Sequence, residues 1–216
     1  MAMAATGAIF LDRDGVINEN RPDHVKTWEE FEWLPGVLTS IQRLSQTGLP
    51  IFIITNQAII SRGLAAETTV QDIHARMITT IEQAGGHIDR AYYCPHDLHE
   101  RCECRKPKPG MLKQAAQEFG IDLTRSFLVG DSWSDIEAGL AVGTSSILVM
   151  TGRGRNQGNL AKLLTQSAVR MGAACDLADA TTMILSALDG EPMMMTTPRL
   201  RRAFHMALSP NELTVL

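Results

Sequence analysis

Short apolar runs alternate along this chain with longer stretches whose apolar residues recur at helical spacing. The runs are AIFLD, PIFIITN, HIDRAYYCP, SFLVGD and SSILVMTG; between and after them lie PGVLTSIQRLSQTG, AETTVQDIHARMITTIEQAGG, PGMLKQAAQEFG, SDIEAGLAVG and LAKLLTQSAVRMG. Strands covered by helices on both faces read as unbroken apolar runs, and strands joined through helices are joined by right-handed crossovers. The pattern predicts an α/β fold with a doubly wound, mostly parallel, Rossmann-like sheet. Pro35 is placed in the first turn of a helix, and Gly48 and Gly120 where helices stop. The gaps between the first and second runs, and between the second and third, leave no room for a cap domain, so the pocket is expected to be open. After DLADATTMILSALDG the pattern fades. The expected organisation is one domain over residues 1–190 and a tail over 191–216 that packs on it or stays mobile. A partner-binding or membrane-touching role for RLRRAFHMAL in that tail ranks below simple packing.

Composition narrows the function. The 216 residues carry 24 acidic side chains against 20 Lys and Arg, a net charge of −4, with no run of like charges. No nucleic-acid or membrane partner is expected. The opening MAMAATGAIF has no basic region before a long apolar stretch, and no segment nears the roughly 18 apolar residues of a membrane span. The expectation is a cytoplasmic monomer.

Ligands of such sheets bind beyond the carboxyl ends of the strands, so the residues closing each run carry the chemistry. The first run closes on Asp12-Arg13-Asp14-Gly15 and the second on Thr55-Asn56-Gln57; Arg105-Lys106-Pro107 follows the third, and the fourth closes on Gly130-Asp131, with Asp135 beyond. Strand alternation sends Asp12 and Asp14 to one side and Arg13 to the other, while Gly15 lets the backbone turn at once. Two carboxylates in one small volume repel unless a cation joins them, and Asp131 would complete an oxygen-rich site suited to Mg²⁺. Taken alone, DRDG reads equally well as a pair of capping aspartates. Joined to a hydroxyl at Thr55, an ammonium at Lys106 and a further carboxylate at Asp131, it supplies the parts that phosphoryl transfer requires.

Three of the four cysteines crowd into CPHDLHERCECRKP, and Cys175 stands apart as a small buried residue. Cys94 and His96 are paired across one residue, as are Cys102 and Cys104 on the far side of a short loop. Three sulfur donors and one imidazole make a closed, structural Zn²⁺ site over residues 94–104 with no position for a catalytic water. His99 lies inside the loop as a weaker competitor. Arg105 and Lys106 follow the last ligand directly, so loss of the metal should misplace them. His24, His74, His87 and His205 have no convergent partners in the sequence and read as ordinary surface or core residues.

With DRDGVIN, TNQ, RKPKPGM and GDSWSD in this order, the chain resembles the haloacid dehalogenase superfamily of aspartate-nucleophile phosphatases from Gly7 to about Leu188. The resemblance implies that Asp12 attacks phosphorus and that Asp14 protonates the leaving alcohol and then activates water. It implies Mg²⁺ on the Asp12 carboxylate, the Asp14 backbone carbonyl and Asp131, with Thr55 and Lys106 holding phosphoryl oxygens. Thr55, Asn56, Gln57, Arg105 and Lys106 would bind substrate, a small phosphorylated metabolite. Within the superfamily two branches look similar. DHVKTWEEFEWLPGV, RKPKPGML and LVMTGRG resemble the D-glycero-D-manno-heptose-1,7-bisphosphate 7-phosphatases, whereas the short spacing from His96 to Cys102 resembles the histidinol-phosphate phosphatases. Two departures touch leaving-group recognition: TNQAIISRG lacks the family's usual glycine soon after TNQ, and Ser132 stands where some heptose enzymes carry lysine. A phospho-accepting receiver module gathers similar groups, but Asp14 serves turnover and a zinc loop serves no receiver. A zinc-stabilised scaffold without catalysis is disfavoured because every catalytic position is filled.

Overall fold

The structure, a computed structural model, describes residues 6–155, 170–193 and 196–205. Its strands are β1 Ile9–Leu11, β2 Ile51–Asn56, β3 Arg90–Cys94, β4 Phe127–Gly130, β5 Ser145–Val149 and β6 Met171–Ala174. The helices are α1 Val37–Ser45, α2 Glu67–Gln83, α3 Gly110–Phe119, α4 Trp133–Leu140, α5 Leu177–Leu188 and α6 Pro198–His205. The strands form one sheet in the order β3-β2-β1-β4-β5-β6, with every pairing parallel. Chain order reverses direction between β1 and β4. That switch point opens a crevice at the strands' carboxyl ends.

Alternation along the strands splits the core between two faces. Ile9, Leu11, Ile51 and Ile53 face α1, α2 and α5, meeting Ile41, Leu44, Ile73, Met77 and Ile184. Ala8, Phe10, Phe52 and Ile54 face the other way, onto Met111, Leu112 and Ala115 of α3. Each of these large apolar side chains contributes about 1.5–3 kcal/mol through burial, which fixes the strand ends that follow. A slip of one residue would exchange the two faces.

Outside the site, the structure departs from the sequence reading in three places. Met171 and Gly172, expected to end a helix over Leu160–Gly172, instead open β6; residues 160–169 of that expected helix lie outside the described residues. Pro35 stands two positions before α1 rather than inside it, and Gly36, at φ 74°, forms the cap in the left-handed region. Cys175 is half-buried rather than buried. The described part of the tail lies along the sheet edge: the Thr197 N–H donates to the Ala173 carbonyl at 3.3 Å, and Leu200, 2 % exposed, packs with Leu148, Met171 and Ala173. The last residues of RLRRAFHMAL lie outside the described residues. No helix among the described residues is long and apolar enough to cross a membrane.

Candidate active site

The first strand hands over to the site without losing its ladder, since the Asp12 N–H still donates to the Val129 carbonyl of β4 at 2.9 Å. The backbone then turns sharply at Gly15, φ 88°, which any larger residue would block. A Cβ built there would lie 2.0 Å from Asp131 Oδ2, and one at Gly152, φ 49°, would lie 2.2 Å from the same atom. Two glycines thus let backbone close on the Asp131 carboxylate, and the Arg153 N–H donates to its Oδ2 at 2.7 Å.

Asp12, Asp14, Thr55, Lys106 and Asp131 line one cleft of about 250 Å³ at the switch point. Lys106, 4 % exposed, reaches its Nζ to Asp12 Oδ1 at 2.9 Å, to Asp135 Oδ1 at 2.5 Å and to the Ile54 carbonyl at 2.8 Å. Oδ1 of Asp12 also accepts from the Arg13 N–H at 2.7 Å, so the lysine and the backbone share one carboxylate oxygen. Burial, opposed by Lys106 and reinforced by the charges of Asp135 and Asp14, raises the Asp12 carboxyl to about 6. Burial together with the charges of Asp12 and Asp135 raises Asp131 to about 8. Burial alone would lower Lys106, but the carboxylates of Asp12 and Asp135 reverse that and raise it.

Asp12, Asp131 and Asp135 offer carboxylate oxygens within 4.8 Å of one another. Three buried carboxylates facing one ammonium leave uncompensated negative charge, and hard oxygen donors at this density fit a Mg²⁺-like cation. The carboxylate of Asp14, expected to share that volume, does not belong to the cluster. Its Oδ1 accepts from Asn18 Nδ2 at 2.9 Å, its Oδ2 accepts from Gln57 Nε2 at 2.8 Å, and the Arg13 guanidinium holds both oxygens at 2.9 Å. The expected separation of Arg13 from Asp14 therefore fails at their tips, because strand alternation ends at Leu11. Burial would raise the Asp14 carboxyl; the charge of Arg13 and the bonds from Asn18, Arg13 and Gln57 outweigh it and hold the group below its usual value.

Asn56 and Gln57, read as substrate contacts, are engaged elsewhere. The amide of Asn56 exchanges two bonds with the Lys106 backbone, at 3.0 and 3.1 Å, while its residue still lines the cleft. Gln57, 2 % exposed, spends its amide on Asp14 and on Thr55 Oγ1 at 2.9 Å. It positions those two groups from beneath. Sequence reasoning missed the part played by Asp135, although Ser132 and Asp135 form a capping box at the start of α4 whose spacing is visible in the sequence. It also set aside two histidines that do have partners: His24 lines the cleft and faces Arg62 at 3.4 Å, and His74 Nε2 meets the Arg13 guanidinium at 3.2 Å.

In the loop after β3, the sulfurs of Cys94, Cys102 and Cys104 are 3.3–3.5 Å apart, and His96 Nδ1 is 3.3 Å from Cys104 and 3.7 Å from Cys94. These sulfurs are too far apart for disulfides. Tetrahedral zinc bond lengths place sulfurs about 3.8 Å apart and sulfur about 3.6 Å from nitrogen, so an outward adjustment of a few tenths of an ångström converts this cluster into a zinc cage. His99 is not part of it. Arg105 donates to the His96 carbonyl at 3.0 Å and lines the cleft, which ties the loop to the substrate side.

A parallel sheet whose switch point gathers an aspartate nucleophile candidate, its neighbouring acid, a lysine and a cation cluster defines a phosphatase core of the haloacid dehalogenase type. Residues 103–176 match the family model described as HAD-hydrolase-like. The chain is 44 % identical over 146 residues to the D-glycero-beta-D-manno-heptose-1,7-bisphosphate 7-phosphatase of Pseudomonas putida, covering 68 % of this chain and 83 % of that protein. It is 38 % identical over 155 residues to the Yersinia pestis enzyme of the same name, covering 68 % and 81 %. The crystal structure of the D,D-heptose 1,7-bisphosphate phosphatase of B. bronchiseptica, complexed with magnesium and phosphate, superposes with a TM-score of 0.77 at 36 % identity, over 84 % of this chain and 99 % of that one. The chain belongs to the haloacid dehalogenase-like hydrolases, in the family of these heptose-bisphosphate phosphatases, and it is a phosphatase.

Proposed function

We propose that the chain removes the 7-phosphate of D-glycero-D-manno-heptose 1,7-bisphosphate through an aspartyl-phosphate intermediate. The observation that carries this reading is the convergence of Asp12, Thr55 and Asp131, from three strand ends, and Lys106, from the loop after β3, on one cleft. Asp12 attacks phosphorus with a carboxylate oxygen while the bond from phosphorus to the sugar oxygen breaks, and Asp14, which takes up a proton once the negative charge of the bound phosphate opposes the pull of Arg13 on its carboxyl, gives that proton to the leaving oxygen. Asp14, now a carboxylate, takes a proton from water as that water attacks the phosphorus and the bond from phosphorus to the Asp12 oxygen breaks. Inorganic phosphate leaves and Asp12 is regenerated. Thr55 and Lys106 hold the phosphoryl oxygens, where a hydroxyl and an ammonium stabilise charge that builds in the transition state. Arg105 contacts the remainder of the substrate, with Asn56 lining the same wall and Gln57 steadying Thr55 and Asp14.

Asp12, Asp131 and the Asp14 backbone carbonyl would hold Mg²⁺, which when bound neutralises phosphoryl charge and relieves the repulsion between the acids. Asp135 keeps Lys106 aimed at Asp12. Cys94, His96, Cys102 and Cys104 would hold a structural Zn²⁺ that fixes the loop carrying Arg105 and Lys106. Initial rates on heptose bisphosphate, histidinol phosphate and several sugar monophosphates test the assignment. Heptose bisphosphate should show the highest kcat/KM; a higher value on histidinol phosphate would move the chain to the other branch.

A further inference from the structure

Arg13 is the largest wholly buried side chain among the described residues, at 0 % exposure. A guanidinium in such a place needs both a counter-charge and acceptors for its remaining N–H groups. Nε and Nη2 face Asp14, at 3.3 Å and 2.9 Å from its oxygens. Nη1 turns the other way, to His74 Nε2 on α2, at 3.2 Å. His74 is 5 % exposed and shares its helix face with Val70, Ile73 and Met77. A leucine would pack there without the desolvation cost of an imidazole, so its acceptor nitrogen is the property that distinguishes it at this position. A guanidinium only donates, which makes Nε2 the acceptor and puts the imidazole proton on Nδ1.

We propose that Arg13 and His74 form a buried clamp that sets the position of the Asp14 carboxyl, with His74 a positioning residue for proton transfer to the leaving group. The proposal rests on the reading of Asp14 as the proton shuttle. With Nη1 anchored on α2, the guanidinium cannot pivot about Asp14, and the carboxyl is presented at a fixed angle to the cleft. Without the anchor, the fork retains its charge but loses its orientation. The clamp acts through the Asp14 carboxyl and so bears on both proton transfers that group makes, and release of the leaving group in a single turnover isolates the first.

The test compares leaving-group release in single turnovers on two substrates. A sugar phosphate leaves as an alkoxide that needs a proton, whereas p-nitrophenyl phosphate leaves as a stable anion. In the His74→Leu variant, release from the sugar bisphosphate should fall roughly 10- to 100-fold, a part of the 10²–10⁴ that general acid catalysis supplies, and release from p-nitrophenyl phosphate should fall far less. His74→Gln, whose amide oxygen can accept from Nη1, should recover most of the loss. Equal falls on both substrates, an unaffected His74→Leu variant, or no recovery in His74→Gln would overturn the proposal. If His74→Leu does not yield folded protein, Arg13→Lys, which keeps the charge and loses the fork, must show the same discrimination, and equal losses there overturn it. Asp14→Asn separates the two layers of the argument. If that variant does not discriminate between the substrates, the shuttle reading fails; if it does and the His74 variants do not, only the clamp fails.

Discussion

Substituting Gly15 with alanine asks whether the site depends on the close approach of backbone to Asp131. At φ 88° an L-residue is strained, at a cost of about 1–2 kcal/mol. The added Cβ would lie 2.0 Å from Asp131 Oδ2, where ordinary contact begins at 3.4 Å, so the carboxylate must retreat by about 1.4 Å if the backbone holds. Misplacement by about 1 Å at a reacting centre costs on the order of 100-fold in rate. Gly15→Ala should therefore lower kcat/KM by about two orders of magnitude and raise the Mg²⁺ concentration needed for half-maximal rate. Gly48→Ala is the control, since φ is 72° there and nothing lies within 4 Å of the added Cβ. It carries the backbone strain alone, so it should lose about 1–2 kcal/mol of stability by thermal denaturation with activity kept. Wild-type rates and Mg²⁺ dependence in folded Gly15→Ala would refute the claim that Asp131 must occupy that spot.

Other expectations follow from the same geometry. Asp12→Asn should abolish turnover while circular dichroism and melting stay close to wild type; retained turnover removes the nucleophile assignment. Freshly purified protein should contain one zinc per chain by elemental analysis, and stripping it should depress activity on top of any Mg²⁺ requirement, through Arg105 and Lys106; protein without zinc ends the loop argument. His74 is depressed to about 3 by burial and by Arg13. Its native value lies below its unfolded value near 6.5, so the unfolded chain binds the extra proton and stability is lost as pH falls below about 6.5. Between pH 7.5 and 5.5 wild type should lose about 1.4 kcal/mol more than His74→Gln in denaturant titrations; parallel losses would show that the imidazole is not held neutral.

The sheet was legible because β1, β2 and β4 are apolar on both faces and run straight into Asp12, Thr55 and Asp131, while β5 shows as the apolar run over residues 147–150 after two serines. β6 was not, because Met171-Gly172-Ala173-Ala174 has small residues with little strand preference and continues a helical-looking stretch. The site was legible in its strand-end residues for the same reason of abrupt closure. Its support was not. Helical spacing places His74 on the buried face of α2 but says nothing of an arginine 61 positions away. Asp135 reads as a helix cap, which it is, and only the fold shows that Lys106 comes to the same carboxylate. Arg13 was sent away from Asp14 by an alternation that holds only while the strand lasts, and β1 ends two residues earlier, at Leu11.

The account stands most directly on which atom takes the phosphoryl group. In Asp14→Asn with p-nitrophenyl phosphate, attack should proceed and hydrolysis of the intermediate should stall. One equivalent of nitrophenolate should then appear in a burst, and borohydride reduction of the acid-quenched protein should convert residue 12, and no other, to homoserine. A burst that leaves Asp12 unmodified would contradict the account.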